Sequence, residues 1–169
     1  MLYAWTYPSP IGALTAVCDE TCLVGLSFSD QEYDRGVFPE RKKTKLLCEA
    51  EEWLDRYFRG ENPPISFPLS PQGTPFQEEV WALLREIPYG SVVTYGELAK
   101  ALAKKRGGKM SARAVGGAIG KNPIPIFIPC HRVIGAGGKL TGFTGGIDKK
   151  IALLKCEGID ADLLALPKK

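Results

Sequence analysis

At 169 residues, 24% of them charged and 44% hydrophobic, the chain has the balance of a globular protein able to bury a core. No apolar run nears the roughly 20 residues of a membrane helix and no charged-then-apolar leader opens the chain, so neither a membrane anchor nor export is expected and the cytoplasm is the expected location. The five cysteines (18, 22, 48, 130, 156) are odd in number with no paired spacing, which reads as reduced thiols, and one histidine with no second close cysteine pair argues against a metal site.

Residues 2–7, 13–18 and 23–28 predict three short strands, rich in Leu, Val, Tyr, Trp and Phe and separated by "PSPIG" and "DET" turns, hence an antiparallel meander. Leu46, Leu47, Ala50, Trp53, Leu54, Tyr57 and Phe58 then recur at helical spacing, with Gly60 as C-terminal cap. Residues 61–75 hold five of the thirteen prolines and cannot continue a helix. They read as a connector, dividing the chain into domains of residues 1–75 and 76–169.

Beyond the connector the pattern turns helical. "PFQEEVWALLREI" places Pro75 at a helix start and Phe76, Val80, Leu83, Leu84 and Ile87 on one stripe, before "PYGS" breaks it. Thr94 and Glu97 form a capping box opening a helix through about Leu102, and Ser111 caps another from Ala112 to about Gly120. The pair, joined by "KKRGGK", resembles a helix-turn-helix. In "ARAVGGAIG" nearly every residue is small and Arg113 is the one long polar side chain, so close approach is wanted, either by another protein layer or by a DNA groove. Charge bears on that choice. Residues 1–75 carry seven Lys and Arg against eleven Asp and Glu, residues 76–169 fifteen against eight, and residues 98–147 hold nine basic side chains and no carboxylate. Such a field suits a polyanion, although a solvated basic face has the same composition.

"PIPIFIPCHRVIG", residues 123–135, ends an apolar run on Cys130, His131 and Arg132. A thiol becomes a nucleophile beside a base or positive charge, and both neighbours qualify. Read as a strand, however, the segment points Cys130 and His131 to opposite faces, so their contact needs a turn or a bridging water, and an inert buried cysteine stays open. The glycine-rich "GAGGKLTGFTGG" fits neither the Walker A nor the dinucleotide pattern, which disfavours phosphate-loop chemistry. A last helix, Asp148 to Glu157, ends on an acid that opposes the helix dipole. Either that carboxylate orients a histidine elsewhere, completing a Cys/His/Glu relay, or it is an exposed glutamate.

"IPCHRVIG", preceded by "ARAVGGAIGKNPIPIF" and followed by "GKLTGFTGGIDKKIALLKCEG", resembles the O6-alkylguanine-DNA alkyltransferase family, densely from about Thr74 to Gly158 and more weakly over the N-terminal half. The resemblance implies an α+β protein: a small N-terminal antiparallel-sheet domain, ribonuclease H-like, and a mainly helical C-terminal domain with a winged helix-turn-helix. It implies direct-reversal DNA repair: one irreversible transfer of the alkyl group from O6-alkylguanine, and O4-alkylthymine, in DNA to Cys130 after nucleotide flipping, with no cofactor and no metal. Carried over, Cys130 is the acceptor thiolate, His131 its base through a water, Glu157 the group orienting His131, Asn122 the hinge asparagine, and Tyr95 the proton donor to the leaving guanine. Val133, Phe143, Thr144 and Gly116 would bind the substrate base. Arg113 would enter the duplex as an arginine finger, with Thr94, Ser111 and Ala112 also on DNA. The implied partner is double-stranded DNA bearing O6-alkylguanine, met by a monomer, with cooperation between copies on DNA left open. Phe143 stands where many relatives have tyrosine, and Cys156 where histidine is common. Two rival classes share part of this pattern: a cysteine hydrolase, and a non-catalytic lesion sensor or helix-turn-helix regulator.

Overall fold

The computed structural model describes residues 1–28, 39–138 and 146–160. Contacts among them separate two compact units, residues 1–72 with 123–125, and residue 73 onward with 123–125 left out. Together they form an α+β architecture.

In the first unit, strands β1 (Tyr3–Ser9), β2 (Gly12–Cys18) and β3 (Leu23–Phe28) make the expected meander, Tyr3 opposite Cys18 and Leu14 opposite Phe28. A short strand that the sequence pattern does not announce, β4 (Glu40–Arg41), pairs parallel to β1, giving the order β3-β2-β1-β4. Helix α1 (Lys45–Phe58) starts where Thr44 Oγ1 accepts from the Leu47 amide, and buries Leu47, Ala50, Trp53, Leu54 and Tyr57, the expected stripe, against β1 and β2. The proline-rich stretch is held on this unit rather than hanging free. Trp53 Nε1 donates to the Pro63 carbonyl at 2.9 Å, and the Leu23 amide to Pro68 while Ser70 donates back to Leu23, each at 2.9 Å. Prolines carry no amide hydrogen, but their carbonyls still accept.

The second unit begins with α2 (Pro75–Leu84), opened by a full capping box between Thr74 and Gln77. The strand β5 (Val93–Thr94) leads directly into α3 (Tyr95–Arg106), with Thr94 and Glu97 capping as expected. The helix outruns the expected end near Leu102 because its basic last turn suits the dipole and Gly107, at φ 71°, makes the left-handed stop. The turn to α4 (Ala112–Gly120) is therefore shorter than "KKRGGK" suggests. Both α2 and α3 pack on α4, and Trp81 Nε1 donates to the Ala118 carbonyl at 2.9 Å, fastening the end of α4 to α2. A two-residue strand β6 (Val133–Ile134) pairs parallel with β5, Val93 opposite Val133, and α5 (Ile147–Cys156) follows. Among the described residues no helix is long and apolar enough to cross a membrane.

Candidate active site

The segment read as a strand is not one. Residues 123–129 bend at 123–124 and turn at 126–127 between single bridge positions at 125 and 128, and Cys130–Arg132 form a single 3-10 turn closed by the Val133 amide donating to the Cys130 carbonyl. Prolines 123, 125 and 129 remove three ladder donors, and Ile126 sits at φ 73°, a rare conformation for a β-branched residue that its burial holds in place. The extended-strand objection to a Cys130–His131 partnership therefore lapses, since in a turn neighbouring side chains need not oppose each other.

Asn122, just past α4, is buried and spans this segment. Its Nδ2 donates to the Ile128 carbonyl at 2.9 Å, and its side chain also hydrogen-bonds the Cys130 thiol.

His131 is fully buried and its Nε2 lies 2.5 Å from Glu157 Oε2. Glu157 does not end α5, as expected, but is its C-cap, one residue beyond Cys156. There its carboxylate gathers four donors or ring contacts: His131, Arg132 Nε at 2.7 Å, Arg132 Nη2 at 3.1 Å and the Gly90 amide at 3.1 Å. The exposed-glutamate alternative is thereby excluded.

Arg132 forks onto this carboxylate while its Nη1 donates to the Ile87 carbonyl at 2.7 Å and its guanidinium lies over the Tyr89 ring. Tyr89 in turn donates to the Cys156 carbonyl at 3.1 Å. The "IPYG" segment after α2 thus does more than end a helix: Ile87 supplies a carbonyl, Tyr89 a ring and Gly90 an amide around Glu157 and Arg132.

Lys150 is buried on α5, its Nζ donating to the Val133 carbonyl at 2.6 Å. Lys150 is absent from the expected site, and Arg132, expected only as a positive charge beside Cys130, is committed to Glu157 instead. The signal for Lys150 was present, because positions 150, 153, 154 and 157 share one helix face and put a lysine in line with two buried leucines and the buried glutamate.

Burial sets the electrostatics. It pushes the Cys130 thiol up to about 11, against the Asn122 hydrogen bond, the Lys150 charge and two backbone amides, all of which favour the thiolate. It lowers the His131 imidazole below its usual range, with Glu157 acting in the opposite sense. Lys150 is lowered to about 8, again by burial.

The remaining expected residues fall around the same turn or on α4. Val133 is fully buried and lends its carbonyl to Lys150, while the β5–β6 pairing sets Val93 opposite it and Thr94 opposite Ile134. The half-buried Tyr95 ring passes close to Gly116, where a β-carbon would meet it at 3.7 Å. Ser111, Ala112, Arg113, Ala114, Gly117 and Gly120 are exposed, whereas Val115, Ala118 and Ile119 are buried, so α4 presents a face of small residues with Arg113 on it. Packing accounts for one side of that helix only. Phe143 and Thr144 lie outside the described residues. Among the described residues no three His, Cys, Asp or Glu side chains gather as a metal would require.

The model of the 6-O-methylguanine DNA methyltransferase DNA-binding domain matches residues 75–159, and that of the same family's ribonuclease-like domain matches residues 2–71. The chain belongs to this family. A methylated-DNA–protein-cysteine methyltransferase of Haemophilus influenzae is 42% identical over 160 residues, 94% of this chain and 87% of that one; its namesake from Methanosarcina acetivorans is 43% identical over 93% of this chain and 99% of that one. Among solved structures, the O6-methylguanine methyltransferase of Mycobacterium tuberculosis superposes with a TM-score of 0.80 at 43% identity, each chain 93% covered. The same organism's protein in complex with DNA gives 0.81 at 42% identity, each chain 92% covered.

Proposed function

We propose that this protein repairs DNA by direct reversal, moving the alkyl group of O6-alkylguanine, and of O4-alkylthymine, irreversibly onto its own Cys130. The observation that carries the reading is the buried array around one turn: a cysteine beside a histidine whose far nitrogen is 2.5 Å from a carboxylate that an arginine holds in place.

With Nε2 engaged by Glu157, Nδ1 is the nitrogen that takes the Cys130 proton, through a bridging water. Ionising a thiol near 11 at neutral pH costs about 5 kcal/mol, so passing the proton to His131 beside the Glu157 charge is what makes the thiolate reachable. The thiolate attacks the alkyl carbon, the carbon–oxygen bond breaks, and its electron pair stays on the guanine, which Tyr95 protonates. The thioether has no route back, so each molecule works once.

The reacting carbon lies within the base stack, so the nucleotide must leave the duplex first, at a few kcal/mol. The small-residue face of α4 suits groove entry, with Ser111, Ala112 and Thr94 toward the backbone and Arg113 filling the space vacated. Gly116, Val133, Phe143 and Thr144 form the base pocket, and Asn122 braces the turn between α4 and Cys130. The substrate is double-stranded DNA, the protein acts as a monomer in the cytoplasm, residues 76–169 bind and react, and residues 1–75 form the other domain.

Mixing with an excess of O6-methylguanine oligonucleotide tests this. One equivalent of repaired DNA and one added methyl on the Cys130 peptide are expected. Repeated turnover would replace the reading with a cysteine hydrolase, and full transfer by Cys130→Ser would remove Cys130 as acceptor. Tight DNA binding without any transfer would leave a lesion sensor.

A further inference from the structure

Among the described residues, Lys150 is the one buried cation near Cys130 that neither the Cys/His/Glu relay nor the Glu157–Arg132 pair employs. Its side chain is 1% exposed, yet a Val133 carbonyl needs only a neutral donor, which could be supplied without taking an ammonium out of water. What an ammonium adds is charge. Its position directs that charge at the reacting turn: Nζ sits 2.6 Å from the Val133 carbonyl, the Val133 amide donates to the Cys130 carbonyl, and α5 packs against the turn.

Resting on the function proposed above, we propose that Lys150 is a positioning residue whose charge, anchored on the Val133 carbonyl, stabilises the Cys130 thiolate as alkyl transfer begins. The other charged and titratable groups around the turn are already committed. Arg132 is neutralised by Glu157, His131 faces the same carboxylate, and the Tyr89 ring lies against Arg132. Lys150 and the thiol act on each other in the matching sense, the cation favouring the thiolate and the thiolate the cation. Lysine near 8 is still mostly protonated at neutral pH, so the charge is present when the thiol gives up its proton to His131. In the transfer the sulfur–carbon bond forms as the carbon–oxygen bond breaks, and the sulfur's negative charge passes to the guanine. The cation thus favours the ionised nucleophile over the neutral thiol.

Lys150→Gln keeps a donor for the Val133 carbonyl and removes the charge, while Lys150→Arg keeps both. In DNA-free protein, the pH midpoint for iodoacetamide alkylation of Cys130, read by mass spectrometry of its peptide, is expected to rise by about one pH unit in Lys150→Gln. Single-turnover transfer at pH 7 is expected to slow about tenfold with DNA affinity unchanged, and Lys150→Arg to stay within about twofold of the parent. A Lys150→Gln midpoint equal to the parent's, or a Lys150→Arg protein as impaired as Lys150→Gln, overturns the inference. If Lys150→Gln does not fold, Lys150→Met replaces it with the same expected midpoint. A midpoint shift in a protein that accepts no alkyl group from DNA would sink the proposed function and leave the electrostatic role standing.

Discussion

Replacing Glu157 with glutamine keeps the shape of the buried carboxylate and removes its charge. Its side chain has no exposure, and it faces Arg132 twice, His131 once and the Gly90 amide once. The amide oxygen can still accept from Arg132 Nε and Gly90, but its NH2 group then confronts Arg132 Nη2, donor against donor. Leaving a buried guanidinium uncompensated costs about 3–5 kcal/mol. For a chain of this size that corresponds to a fall in melting temperature of about 6–20 °C. The chemistry suffers separately. Facing an NH2 donor, His131 Nε2 becomes an acceptor, the ring proton moves to Nδ1, and the nitrogen meant to take the Cys130 proton is occupied. Loss of a general base lowers rates by about 10²–10⁴, so transfer to Cys130 is expected to slow at least a hundredfold. Differential scanning calorimetry and quenched single-turnover transfer measure the two effects on one preparation. The double variant Glu157→Gln/Arg132→Met should regain much of the stability, because the stranded charge is gone, but none of the rate. A Glu157→Gln protein that melts within about 2 °C of the parent and transfers at an undiminished rate refutes the reasoning.

Burial holds the folded-state imidazole of His131 below its usual range, while the unfolded chain takes up the proton near 6.5. The stability that this group contributes is therefore complete above about pH 6.5 and lost as the pH falls below it, so the urea midpoint should drop between pH 7.5 and 5.5 and drop less in His131→Gln. Asn122→Ala strands the Ile128 carbonyl and deprives the Cys130 thiol of a partner. About 1–3 kcal/mol of stability is expected to go, seen in urea melts, along with slower alkylation of Cys130 by iodoacetamide. Trp81→Phe removes the donor to the Ala118 carbonyl, which should cost about 1–3 kcal/mol and loosen the end of α4. DNA affinity by fluorescence anisotropy should weaken while DNA-free alkylation of Cys130 stays as it was.

Much of this protein is written locally. Short strand-forming runs broken by turn residues over residues 3–28 specify the meander, the Leu47–Tyr57 stripe specifies α1, and Thr94/Glu97 and Ser111 cap their helices as the pattern requires, because each signal acts within a turn or a strand pair. The motif around Cys130, through its family resemblance, also named His131 and Glu157 as partners, 26 residues apart and 2.5 Å from each other in the fold. Beyond that pair, the chain does not declare the contacts closed by distant segments. The parallel β4 and β5–β6 pairings span 2 residues each, too few for a periodic signal, and the apolar run before Cys130 becomes turns because its prolines cannot join a ladder. The charges of Arg132 and Lys150 belong to this second class. One of three lysines in a helix or an arginine after a histidine is unremarkable in sequence, and only burial against Glu157 and the Val133 carbonyl gives each its meaning, since a charge acquires its energy from the water and partners that folding removes or supplies.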